Sequence, residues 1–222
     1  MTAARVLRRS EDSRGSRVRG SSWARACPVV ARAPAGLTVL ELMFTLAIAA
    51  TLTAIALPLA GNAVDEMRTA AAARFVSGEV MAARMEAIKR SRPVGLRFQE
   101  WEGGYLYTPF VDGNGNGIRT ADIEQGIDAP LSLGGGITDK FADVRFELMP
   151  DVPDLDGNTG GSLDGVRIGS ARILTLSPDG TSSSGTLYVR GRSAQYAVRV
   201  FGVTGRRRVL QYRRGENVWV SR

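Results

Sequence analysis

At 222 residues the chain has room for one domain with appendages and not for two full ones. Its 44% hydrophobic and 23% charged content excludes wholesale disorder. It contains no histidine and one cysteine, Cys27, which removes His-dependent triads, imidazole metal sites, cysteine-cluster zinc sites and an internal disulfide.

The net charge of +7 is unevenly spread. Residues 1–36 hold eight Arg against Glu11 and Asp12, residues 37–189 hold 12 basic and 19 acidic side chains, and residues 190–222 hold nine Arg against Glu216. Like charges grouped in this way point to partners at the two ends of the chain.

Leu42–Ala60 is a run of 19 residues without a charge. At about 1.5 Å per helical residue it nearly crosses a hydrocarbon layer of about 30 Å. A soluble core helix would show a polar face every three or four residues, and this one has only Thr45, Thr51 and Thr53. The basic segment ahead of it keeps the N-terminus cytoplasmic and places the bulk of the chain outside. No small-x-small cleavage site in a turn-forming stretch follows Ala60, so the run does not read as an ordinary secretory signal. Glu41, at the edge of the run, costs a few kcal/mol in lipid unless it is paired, and otherwise reads as an interfacial residue.

From Asn62 to about Arg92 the spacing of Val64, Met67, Ala71, Phe75, Val76, Val80, Ala83 and Ile88 predicts a helix that continues the apolar one, giving roughly 50 residues in all. Ser91-Arg92-Pro93 ends it. Strands follow. Val94–Gln99 and Tyr105–Phe110 read as a hairpin around Gly103-Gly104. Phe141–Leu148, Val166–Leu176, Gly185–Arg190, Tyr196–Val203, Arg207–Tyr212 and Val218–Val220 are the further candidates, separated by Gly, Pro, Asp and Ser.

Asp112, Asn114 and Asn116, alternating with glycines and followed by Asp122, open like a calcium-binding loop. The pattern then departs, because the twelfth position is Ile123. A Gly/Asn-rich turn is the preferred reading, with a structural Ca2+ ion as the option; no other cofactor is expected. Asp151, Asp154, Asp156 and Asn158 read as a solvated loop. No catalytic triad, metal cluster or nucleotide loop is present, so the sequence does not read as an enzyme. Gly205-Arg206-Arg207-Arg208 lies between two strands, with Arg213 and Arg214 beyond it and Tyr212 and Trp219 nearby. Arginines on a loop beside aromatics suit phosphate contact, and equally a basic sheet edge that discourages aggregation or meets an acidic neighbour.

Ala35-Gly36-Leu37-Thr38-Val39-Leu40-Glu41-Leu42 resembles the prepilin signal of type IV pilins and type II secretion pseudopilins. Leu37 stands where Phe is usual, and Pro58 lies where pilin helices often carry a proline. Ala83–Arg90 with Pro93-Val94, and Leu176–Gly180 through Arg208, resemble the GspH/FimT branch. The resemblance implies an α+β pilin fold in which a long N-terminal helix packs on a C-terminal antiparallel β-sheet head. It divides the chain into a leader (1–36), a transmembrane helix (37–60), an amphipathic continuation (61–92) and a periplasmic head (93–222) with a variable insertion at 111–165. It further implies cleavage by a prepilin peptidase between Gly36 and Leu37, N-methylation of Leu37, and pairing of Glu41 with the free amine of a neighbouring subunit. The implied setting is the bacterial inner membrane, crossed once, and the implied partners are other pseudopilins or minor pilins, the inner-membrane assembly platform and membrane lipid.

Two functions follow from the branch. One is a minor pseudopilin of a type II secretion system, at the pseudopilus tip. The alternative is a FimT-like minor type IV pilin that binds DNA for uptake, for which a Gly-Arg-x-Arg motif is matched by Gly205, Arg206 and Arg208.

Overall fold

The computed structural model describes residues 36–102, 104–159 and 161–222. The expected leader, with Cys27 and the first eight arginines, lies outside the described residues apart from Gly36, and Gly103 of the first hairpin is also outside them. The chain divides into two compact units, Met1–Leu46 and Ala47–Arg222.

In the first unit, Thr38 starts helix α1 (Val39–Arg90). The Glu41 N–H donates to the Thr38 hydroxyl at 3.2 Å, and the Leu42 N–H to the Thr38 carbonyl at 3.1 Å. Thr-x-x-Glu is the sequence of a capping box, and a carboxylate in the first turn suits the positive end of the helix dipole.

In the second unit α1 continues through Pro58, and residues 47–64 are exposed. The hydroxyls of Thr51 and Thr53 donate to carbonyls of the preceding turn, at 2.8 Å to Ile48 and 2.7 Å to Ala49. Those bonds remove the polarity that would oppose a lipid environment. From Asp65 onward one face is buried: Asp65, Thr69, Ala72, Ala73, Val76, Ser77, Val80, Ala83 and Ala87. The larger apolar residues Val64, Met67, Met81, Met85 and Ile88 are exposed instead. At 3.6 residues per turn Val64, Met67 and Met85 fall on the side opposite the buried face, whereas Ile88 and Met81 flank it, the Met81 sulfur meeting the Arg207 guanidinium at 3.4 Å. Small side chains therefore carry the packing on the head.

The head holds two antiparallel sheets. β1 (Val94–Trp101) and β2 (Gly104–Val111) form the expected hairpin, extended towards its turn by Glu100, Trp101 and Gly104 and at its open end by Val111. After a short helix α2 (Thr120–Glu124) come β3 (Ala129–Pro130) and β4 (Gly135–Gly136), both pairing with β2. The expected strand over 141–148 is shortened to β5 (Arg145–Phe146), and helix α3 (Ile137–Lys140) precedes it. The Asp139 carboxylate accepts the Gly136 N–H at 2.8 Å, and Asp143 has φ +64°, a value outside the strand range.

The candidate over 166–176 breaks into β6 (Val166–Arg167) and β7 (Ile173–Leu176). Arg172, at φ +50°, marks the break; its guanidinium reaches Glu100 at 2.5 Å and Asp164 at 2.9 Å. The bend moves the chain from one sheet to the other: β6 pairs with β8 (Gly185–Arg190), whereas β7 pairs with β1. β9 (Gln195–Phe201), β10 (Arg206–Arg213) and β11 (Val218–Ser221) complete a sheet in the order β11-β10-β9-β8-β5, and the other runs β3-β2-β1-β7.

One hydrophobic cluster joins Ala73, Val76, Val80 and Ala83 of α1 with Leu96, Phe98, Leu174, Leu187 and Val198 of the sheets. Each such Leu contributes about 1.5–3 kcal/mol on full burial. A second cluster lies on the other face of β8–β10, where Tyr188, Ala197 and Tyr212 meet Leu148, Met149 and Val152, with Leu155 and Trp219 against them. The segment read as a variable insertion thus supplies the cover for that face. The Asp154 side chain is its organiser rather than part of a solvated loop. It is buried, accepts N–H groups of Asp156 and Asn158 at 3.0 and 2.8 Å, and pairs with Arg167 at 2.7 Å. Burial alone would raise its pKa, but these bonds outweigh it and hold the group at about 2.

The joint between α1 and the β8–β9 turn is also polar. The Asp65 carboxylate, 5% exposed, accepts the N–H groups of Arg192 (2.9 Å), Ser193 (2.8 Å) and Ala194 (3.1 Å) and the Ser193 hydroxyl (2.9 Å). Gly191 lies so close that a side chain there would collide with the Thr69 hydroxyl and the Asp65 carboxylate.

Candidate functional site

Gly36 and Leu37 precede α1, are not helical and are exposed, so the peptide bond between them lies outside the hydrogen-bonded helix. Glu41 is exposed in the first turn and makes no ion pair among the described residues.

The Asp112–Asp122 segment closes on itself. Asp112 is fully buried, and its carboxylate accepts the N–H groups of Asn114 (3.1 Å), Gly115 (2.7 Å) and Gly117 (2.8 Å). Asp128, also buried, accepts those of Gly113 and Arg119. Asn116 donates its N–H to the Asn114 side-chain oxygen at 3.1 Å, and the Asn114 amide reaches Asp122, on α2, at 3.5 Å. Among the described residues no group of three or more acidic, His or Cys side chains is arranged to hold a metal ion. The loop's shape comes from carboxylates that accept its own backbone amides.

The basic sequence forms a cleft of about 660 Å³ between α1 and the β9–β10 turn, lined by Arg84, Ser184, Phe201, Arg206, Arg207 and Arg208 among others, none of them acidic. Strand alternation divides the three consecutive arginines. Arg206 and Arg208 are exposed, and the Arg208 guanidinium lies over the Phe201 ring at 5.8 Å. Arg207 turns to the helix and donates to the Ser77 hydroxyl at 2.6 Å. Gly205, with φ +57°, makes the turn that delivers them. Arg84 donates to the Gly205 carbonyl at 3.1 Å.

Arg84, Arg206, Arg207 and Arg208 make no ion pair among the described residues, in contrast to Arg167, Arg172 and Arg190 in the same head. Arg213 and Arg214 do not join the cleft. They lie at the far end of β10, about 16 Å along the strand from Arg208, where Arg213 pairs with Glu216 and Arg214 with Asp151. Arg84 and Asp65 are the residues that reading the sequence passes over. The signal for both is position: each falls on or at the edge of the helix face defined by Ala72, Val76, Val80 and Ala83.

A long apolar-then-packed helix carrying an antiparallel β head defines the pilin-like class of subunits. A sequence model of the family described as type II transport protein GspH matches residues 72–204, and the chain belongs to that family. A relative, the pilin-like protein PilA1 of Thermus thermophilus, is 45% identical over 82 residues, which are 36% of this chain and 50% of the relative. The chain thus spans about half the length of that curated relative. No solved structure matches. The family is one of structural rather than enzymatic subunits, which associate with other pilins and pseudopilins. One apolar N-terminal helix and this family together fit a single-pass, membrane-anchored pilus-type component. The matched span ends before Gly205 and begins after Glu41.

Proposed function

We propose that the chain is a minor pseudopilin of a type II secretion system, processed between Gly36 and Leu37 and built into the tip of a periplasmic pseudopilus that assists protein export. The observation that carries this reading is α1 itself. One face is packed on the head, while Val64, Met67, Met85 and Ile88 leave apolar surface exposed outside it, and residues 47–64 ahead of them are exposed throughout. Such a surface costs free energy in water along its whole length, and packing beside other helices in a filament removes that cost. Glu41 then pairs with the amine of a neighbour's Leu37.

A second reading rests on a separate observation, the cleft whose arginines have no acidic partner among the described residues: a minor pilin that binds DNA for uptake, contacting phosphates through Arg206 and Arg208. Both readings are tested in the bacterium that carries this gene. A Glu41→Ala chain and an Arg206→Gln/Arg208→Gln chain replace the wild type, and export of folded proteins and natural transformation are scored. The first reading expects export to fail with Glu41→Ala and to survive the arginine double variant. Intact export in a strain lacking the chain overturns it, and loss of transformation alone favours the second.

A further inference from the structure

We infer that Arg84, on α1, is a phosphate-contacting member of the basic cleft, which thereby grips a phosphodiester backbone from two elements rather than from the β9–β10 turn alone. This rests on the nucleic-acid reading of that cleft. The Arg84 guanidinium is half-buried between two turns. It donates to the Gly205 carbonyl at 3.1 Å and lies beside Gly180, near enough that a side chain at either glycine would press on it. That one hydrogen bond uses one of five guanidinium N–H groups. Arg84 has no other hydrogen bond and no ion pair among the described residues, and it lines the cleft with Arg206 and Arg208.

Arg84, held by the turn, and the exposed Arg206 and Arg208 line one cleft with no acid among its lining residues, so its positive charge is left for a bound anion to compensate. Phosphate suits the forked N–H geometry of arginine. A repeating phosphodiester fits the wall as well. Residues two apart on β10 are about 6.6 Å apart, so Arg206 and Arg208 are separate contacts for an extended anion rather than one. Such contacts carry no base sequence, so the cleft binds without sequence preference.

The test measures binding of the full-length chain in detergent micelles to a short DNA duplex across a salt series. Wild type is compared with Arg84→Gln, Arg84→Lys and Arg206→Gln. The arginines of residues 1–36 are common to every chain, so differences read the cleft. Arg84→Gln is expected to lower the salt slope by about 0.9 and the affinity about eightfold at 0.1 M salt, as Arg206→Gln does. Arg84→Lys, which keeps the charge, is expected to retain the wild-type slope.

A wild-type slope in Arg84→Gln beside a reduced one in Arg206→Gln overturns the inference while leaving the nucleic-acid reading standing. So does an Arg84→Lys chain as weak as Arg84→Gln, which would make Arg84 a brace for the turn. Absence of salt-dependent binding by wild type overturns both. Displacement of the duplex by polyglutamate at equal charge concentration assigns the cleft to an acidic protein and overturns the ligand class. Arg84→Met is a second neutral replacement, and failure of both neutral variants to fold overturns the inference in favour of a purely structural residue.

Discussion

Removing the Asp65 carboxylate should loosen the head from its helix. Four donors converge on it, three of them backbone N–H groups of residues 192–194 in the tight β8–β9 turn. Hydrogen bonds to a charged acceptor are worth about 1.5–3 kcal/mol each, but these share one carboxylate and so do not add. Water can also reach Arg192, which is exposed, after truncation. A cost of about 3–4 kcal/mol for Asp65→Ala is therefore the working figure, near the lower end of what breaking a buried ionic contact costs. For a unit of this size each kcal/mol moves the melting temperature by roughly 2–4 °C, so a fall of about 10 °C is expected.

Asp65→Asn, which keeps an acceptor oxygen and loses the charge, should fall by about a third of that. Gly191→Ala should resemble Asp65→Ala, because its side chain would drive the turn off both Thr69 and Asp65. Thermal unfolding of the full-length chain in detergent, followed by near-ultraviolet circular dichroism, reads the head. Hydrogen exchange at residues 192–194 reads the joint. An Asp65→Ala chain that melts within about 2 °C of wild type would refute the reasoning.

Asp154 makes stability depend on acid. Its pKa is held at about 2, below the ordinary 3.8, so its contribution is fully present above about pH 4 and is lost as pH falls through 2. The depression corresponds to about 2 kcal/mol, and the gap in stability between wild type and Asp154→Asn should close by that amount over this window. Parallel pH–stability curves for the two chains would contradict this. In the Asp112 loop, Asp112→Ala should cost about 1–3 kcal/mol, since it removes the acceptor of three loop N–H groups, of which those of exposed Asn114 and Gly115 can turn to water while that of half-buried Gly117 is less able to. Millimolar Ca2+ should leave the wild-type melting temperature unchanged, as the loop is already closed by its own hydrogen bonds; a rise of about 4 °C or more would instead establish a calcium clip.

What was legible in the sequence was whatever depends on local chemistry. The uncharged run from Leu42 to Ala60, the helix stop ahead of Pro93, the β1–β2 hairpin and the strands over Gly185–Arg190 and Arg207–Tyr212 (the latter one residue longer at each end in the fold) follow from hydropathy, periodicity and turn residues read within a few positions of one another.

What required the fold was every decision that couples distant segments. The apolar run Leu187, Tyr188 and Val189 between turn residues announces a strand, but not which elements cover its two faces, α1 on one and residues 148–155 on the other. Nor does Asp65 differ in sequence from any surface acid until the turn at 191–194, more than 120 residues later, brings its amides to it. Similarly, the arginine-rich tail is one basic patch in sequence. In the folded chain Arg213 and Arg214 pair with Glu216 and Asp151, Arg207 faces the helix, and Arg206 and Arg208 line a cleft with Arg84 and have no ion pair among the described residues. Side-chain charge is a property of the residue, whereas compensation of that charge depends on which remote groups the sheets and the helix bring within hydrogen-bonding reach.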